Sequence, residues 1–155
     1  MSIRMANQQY PTKYGDDTVS SAEQLIRLIL NAWPDTQAIY LFGSWGTEYE
    51  RPESDVDIAV LLPPKQAKEA GSLLFSELHQ ALQTAVNRDV DLINLRLAPT
   101  VLQKEIIMGG ERLFQAPGTA VDEFEMLVLS LYQKLNEERA GILAEGLRSG
   151  KFYDL

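Results

Sequence analysis

Residues 41–60, LFGSWGTEYERPESDVDIAV, place a Gly-Ser pair directly behind an apolar run and two aspartates at the head of the next run. AIYLF, residues 38–42, reads as a short buried strand ended by Gly43. VDIAVLL, residues 56–62, reads as a second strand stopped by Pro63 and Pro64. Side chains alternate along a strand, so Asp55 and Asp57 share one face, while Val56, Ile58, Val60 and Leu62 take the other. The pattern therefore predicts a carboxylate pair at the leading edge of an apolar strand, close to water.

The same arrangement returns in DVDLINL, residues 89–95, a third predicted strand with Asp91 inside it. Pairing that strand beside residues 56–62 would bring a third carboxylate to the patch. Carboxylates ~5 Å apart repel by roughly 3 kcal/mol per pair at an effective dielectric near 20. Either protons are retained or a hard divalent cation binds. The chain has no cysteine and a single histidine, His79, so oxygen ligands favour Mg²⁺ or Mn²⁺ over Zn²⁺. Because Mg²⁺ takes one or two carboxylates and completes its shell with water and substrate phosphates, the pattern implies a phosphate-bearing substrate. Gly43 and Ser44 supply the complement: a glycine that admits close backbone approach, and N–H and hydroxyl donors for anionic oxygens.

Around this centre the chain reads as helices alternating with short strands. Residues 1–17 are polar, carry Pro11 and Gly15, and are expected to form a flexible arm, with a single domain over 18–155. Ser20 and Glu23 form a capping-box pattern ahead of a helix over about 20–33. Leu74, Leu78, Leu82 and Val86 recur every fourth residue and predict one helix from about Lys65 to Val86. A further helix runs from Pro99 to the Gly109-Gly110 stop, RLF at 112–114 is a fourth short strand, and a long helix spans about 119–147. The expected class is α/β (α+β), a small mixed sheet flanked by helices. His79 is expected at an interface or surface, and Asp122 to Glu125 on a solvated helix N-terminus.

Composition narrows the function. The 155 residues are 45% hydrophobic, and 22 acidic against 14 basic residues give a net charge of −8. That charge disfavours direct nucleic-acid binding and suits a basic protein partner. The start carries no apolar signal core and no run approaches the ~18 apolar residues of a membrane span, so a cytoplasmic location without membrane contact is expected. No GxxxxGK[ST] or GxSxG pattern is present.

GSWGTEYERPESDVD matches GSx10DxD in full and resembles the signature of the nucleotidyltransferase superfamily that includes polymerase β. The resemblance runs from about residue 20 to 148. With the later VDL, the EIIMGGERLF segment and the closing helix with Tyr132, the chain looks like the minimal nucleotidyltransferase antitoxins of HEPN/MNT toxin–antitoxin modules. The resemblance implies the nucleotidyltransferase fold and transfer of AMP from ATP to a tyrosine of a cognate HEPN ribonuclease toxin, which silences it. It further implies Gly43 and Ser44 as the nucleotide-binding pair, and Asp55, Asp57 and Asp91 as catalytic metal ligands. Asp91 would also orient or deprotonate the attacking hydroxyl, in preference to Asp89 nearer the turn. Many relatives follow Gly-Ser with a small residue, an arginine and a glycine; here Trp45, Gly46, Thr47 and Glu48 follow, and Arg51 or Lys65 is the candidate triphosphate contact. Two other functions fit the resemblance: a noncatalytic antitoxin acting by binding alone, and a small-molecule nucleotidyltransferase of the aminoglycoside-modifying type. The latter usually carries a further acceptor domain, for which 155 residues leave little room.

Overall fold

The computed structural model describes residues 16–43 and 55–149, with side chains described over 21–43 and 55–147. Helix α1 (Asp16–Ala32) leads into β1 (Ala38–Phe42) and β2 (Val56–Leu61). Two helices, α2 (Pro64–Ala70) and α3 (Glu77–Val86), connect β2 to β3 (Val90–Asn94). A 3-10 turn (Leu95–Leu97), α4 (Thr100–Gly109), β4 (Glu111–Gln115) and the long α5 (Ala120–Ser149) complete the order.

The strands form a sheet of order β3-β2-β1-β4. β1 pairs antiparallel with β2 and β4, whereas β2 and β3 run parallel, so the sheet is mixed as expected. Period-two alternation divides the core between its faces. On one, Ile39, Leu41, Ile58, Val60 and Leu92 pack with Leu25 and Ile29 of α1 and Leu78 and Leu82 of α3. On the other, Ala38, Tyr40, Ala59 and Leu61 meet Ile106 of α4 and Val121, Phe124 and Val128 of α5. The result is helices on both faces of one sheet. Among the described residues no helix is long and apolar enough to cross a membrane.

Two expectations are corrected. Helix α1 is already helical at Asp16, so Ser20 lies inside it and does not cap it. The single helix expected over 65–86 is two. Gly71 closes α2 with φ +62°, and Ser76 opens α3, its side chain accepting from the His79 backbone N–H. Leu74, counted into the helical stripe, lies in the break between them. Of the two places expected for His79, interface or surface, the structure takes the interface: the residue is 6% exposed. Its Nε2 lies 2.6 Å from the Val90 carbonyl and its Nδ1 accepts the Phe75 N–H at 3.0 Å. Those two partners require the Nε2–H tautomer and fasten α3 to the start of β3.

Glu125 is likewise more than a solvated helix end. The Tyr40 hydroxyl, on a strand residue that is almost wholly buried, donates to Glu125 Oε2 at 2.6 Å, and Arg112 donates to the same oxygen at 2.8 Å. Burial and then the Glu125 carboxylate push the Tyr40 phenol far above its ordinary range, so it remains a donor. This contact ties α5 to the sheet, and Lys104 Nζ, 4.9 Å from the Tyr132 ring, ties α4 to α5.

Candidate active site

Antiparallel pairing of β1 with β2 sets Phe42 opposite Asp57, so Gly43 arrives at the end of the sheet where β2 begins. Parallel pairing of β2 with β3 sets Asp57 opposite Asp91. Asp57 and Asp91 are each the second residue of their strand, so both project to the face that also carries Ala59 and Ile93. Both are half-buried, while Asp55, just ahead of β2, is exposed. The three aspartates singled out in the sequence therefore sit at one end of the sheet.

Their fields overlap. The Asp57 carboxyl is pushed up to about 6, first by burial and then by the charges of Asp91 and Asp55. Neither neighbour is an ion-pair partner; both are like charges that oppose ionisation. A divalent cation would relieve the same strain, and the donor set is all carboxylate oxygen, as Mg²⁺ or Mn²⁺ prefers. Among the described residues no group of three or more His, Cys, Asp or Glu side chains that could hold a metal ion is found. Mg²⁺ does not require such a cage, because water and substrate phosphates complete its shell. In donor chemistry Asp55, Asp57 and Asp91 suit the ion.

Gly43 is held at φ +82°, and a Cβ built there would lie 2.1 Å from Asp57 Oδ2. No side chain other than hydrogen fits between this backbone and that carboxylate. The glycine expected to admit a phosphate thus also makes room for the acidic group beside it. Ser44 lies outside the described residues, as do Trp45 and Arg51.

Lys65 is described, and it is in the wrong place. It lies in the first turn of α2, beyond the end of β2 opposite to Asp57. At ~3.3 Å per strand residue, the stretch from Asp57 to Leu61 alone is about 13 Å. Lys65 is therefore not the basic triphosphate contact.

The sequence of the family described as polymerase beta, nucleotidyltransferase, matches residues 23–117. Protein adenylyltransferase MntA of Shewanella oneidensis is 38% identical over 122 residues, which is 77% of this chain and 83% of that protein. A crystal structure of a toxin–antitoxin with AMP-PNP is similar at 34% identity and a TM-score of 0.65, over 81% of this chain and 98% of that one. So is a chain in the tri-AMPylated Shewanella oneidensis HEPN toxin in complex with MNT antitoxin, at 34% identity and a TM-score of 0.61, covering 84% of this chain and 98% of that one.

Proposed function

The chain belongs to the polymerase beta nucleotidyltransferase family, and from that premise we propose that it is an antitoxin that transfers AMP from ATP to a tyrosine hydroxyl of a cognate HEPN ribonuclease toxin. The observation that carries the reading is the register of Asp57 opposite Asp91, with Asp55 two residues from Asp57. It supplies an acidic edge suited to polyphosphate chemistry, in a chain whose relative is named a protein adenylyltransferase.

In the proposed reaction the acceptor oxygen attacks the α-phosphorus of ATP. A new O–P bond forms, the bond to the bridging oxygen between the α and β phosphorus breaks, and pyrophosphate leaves with the electron pair. Phosphoryl-type transfer depends on positioning and charge stabilisation more than on a covalent nucleophile, so the want of a cysteine is no obstacle. Asp55, Asp57 and Asp91 would hold Mg²⁺ or Mn²⁺, which when bound supplies positive charge to the phosphate oxygens. Asp91 would orient the acceptor hydroxyl and receive its proton. Gly43 places no side chain of its own against the Asp57 carboxylate, and Ser44 would hold phosphate oxygen through its hydroxyl. The arm expected at 1–17 then ends before Asp16, where α1 begins, and the expected organisation is one catalytic domain that includes all of α1, working in the cytoplasm.

The test is direct. The purified chain, ATP labelled at the α-phosphate, Mg²⁺ and the protein encoded by the adjacent gene are incubated together. Label on a tyrosine of that protein, abolished by EDTA, is the expected result. Label that persists in EDTA would contradict the metal requirement, and a wild-type chain that leaves the partner unlabelled would contradict the function.

A further inference from the structure

Helices α4 and α5 pack on the face of the sheet to which Asp57 and Asp91 project. Arg96, whose Nε donates to the Leu62 carbonyl just beyond the end of β2, lies 5.0 Å from the centre of the Phe124 ring. Phe124 therefore marks the end of the sheet away from the aspartates. Lys104 and Tyr132, each eight positions further on (104 − 96 and 132 − 124), are again in contact at 4.9 Å, so α4 and α5 run in the same direction. Helix α4 stops at the catalytic end. A Cβ built at Gly110 would lie 3.1 Å from the Leu41 carbonyl oxygen and 3.4 Å from Phe42 Cβ, and Phe42 pairs with Asp57. Helix α5 does not stop there; it continues unbroken to Ser149.

The bearing of a helical side chain returns after about 18 residues, which is about five turns and ~27 Å of rise. Phe124, 6% exposed, and Glu125, whose carboxylate meets Tyr40 and Arg112, seat α5 on the sheet. The same two bearings recur 18 positions later (142 − 124 and 143 − 125) at Ile142 and Leu143. A five-residue strand such as β1 is only about 16 Å long. Ile142 and Leu143 are therefore carried past the catalytic end of the sheet, still turned to the side on which α5 meets it. There they remain uncovered: Ile142 is 51% exposed, Leu143 is 59% exposed, and Leu147, one turn on, is 72% exposed. Every residue from 136 to 145 is exposed.

A helical segment of about ten residues is marginal in water by itself, because helices in proteins are held mainly by the packing of an apolar face. The register that seats Phe124 thus presents a second apolar surface that needs a partner. Its place and chemistry select the acceptor protein. Apolar side chains offer no donors to a triphosphate, whereas a macromolecular acceptor must approach the sheet from the end that carries Asp57 and Asp91. The polar residues around the surface are mostly acidic: from 136 to 145 there are Glu137, Glu138 and Glu145 against Arg139. With a net charge of −8, a second copy of the chain would be repelled and a basic partner attracted.

We propose that the free half of α5 is the docking surface for the acceptor protein, which seats an apolar patch with basic edges on Ile142, Leu143 and Leu147 and is so held beside the aspartates. The proposal rests on the adenylyltransferase reading and specifies how the acceptor is held.

The double variant Ile142→Gln, Leu143→Gln tests this, since both side chains are exposed and glutamine keeps helix propensity. Calorimetry without ATP should show the HEPN protein bound ~10-fold or more weakly, and the acceptor KM should rise in step. The ATP KM should stay within about twofold of wild type, and the unfolding midpoint should not move. With the wild-type chain, amide exchange over residues 136–147 should slow by ~10-fold or more when the HEPN protein is added. Unchanged affinity in the variant, or exchange there indifferent to the partner, would overturn the proposal. A wild-type dimer that the double substitution dissociates while partner affinity is kept would assign the surface to a second copy and overturn it too. A wild-type chain that binds the HEPN protein but transfers no AMP would sink the adenylyltransferase reading alone, and the binding and exchange data would still decide the docking surface.

Discussion

Asp57 and Asp91 stand opposite each other on neighbouring parallel strands and project to the same side of the sheet. They are separated by 34 positions in the chain (91 − 57) and joined only by register. A slip of one residue in that pairing would send one carboxylate to the opposite face and dissolve the acidic patch.

Asp57 should make the stability of the metal-free protein depend on pH. Its carboxyl is raised from an ordinary 3.8 to about 6, so between those values the folded chain keeps a proton that the unfolded chain has lost. The stabilisation is complete below the lower value and disappears as the pH rises through the upper one. Allowing for solvent screening of a half-exposed group, the loss from pH 4 to 7 is about 1–2 kcal/mol. Denaturant unfolding in EDTA should show this slope, and Asp57→Asn should flatten it; an equal slope in the variant would rule out Asp57 as its source.

Gly43→Ala should impair catalysis far more than folding. The new methyl would collide with Asp57 Oδ2 and sit on a backbone at φ +82°. A loss of ~100-fold or more in AMP transfer is expected, against a stability loss of about 1–2 kcal/mol. Transfer assays and denaturant midpoints on the same preparation separate the two. Transfer near wild type would show that the carboxylate position is unimportant.

Glu125→Ala should destabilise the fold by about 1–3 kcal/mol, because the buried Tyr40 hydroxyl loses its acceptor. Glu125→Gln retains an acceptor oxygen and should recover part of that loss. In a Tyr40→Phe background the cost of Glu125→Ala should shrink, as measured by a double-mutant cycle. Additive effects would mean that the contact does not couple α5 to β1.

Much of this molecule was legible in the sequence because the signals were local. AIYLF and VDIAVLL are apolar runs cut off by glycine or proline, and the period of two placed Asp55 and Asp57 on one face. VDL marked Asp91 for the same reason. The break between α2 and α3 was missed because Leu74 falls at the spacing of a single helical stripe, although Gly71 and Ser76 were available as stop and start signals. The packing roles of His79 and Glu125 had no local signature, since their partners Val90 and Tyr40 are brought close by tertiary packing. Lys65 failed as a phosphate contact for a similar reason: it is near Asp57 in sequence and at the far end of β2 in space.

Asp91→Asn gives the most direct measurement, made as AMP transfer from α-labelled ATP to the HEPN protein under saturating Mg²⁺. The variant should fold with a wild-type unfolding midpoint within about 1 kcal/mol and lose transfer by ~1,000-fold or more. Transfer at the wild-type rate from a folded Asp91→Asn chain would contradict the account.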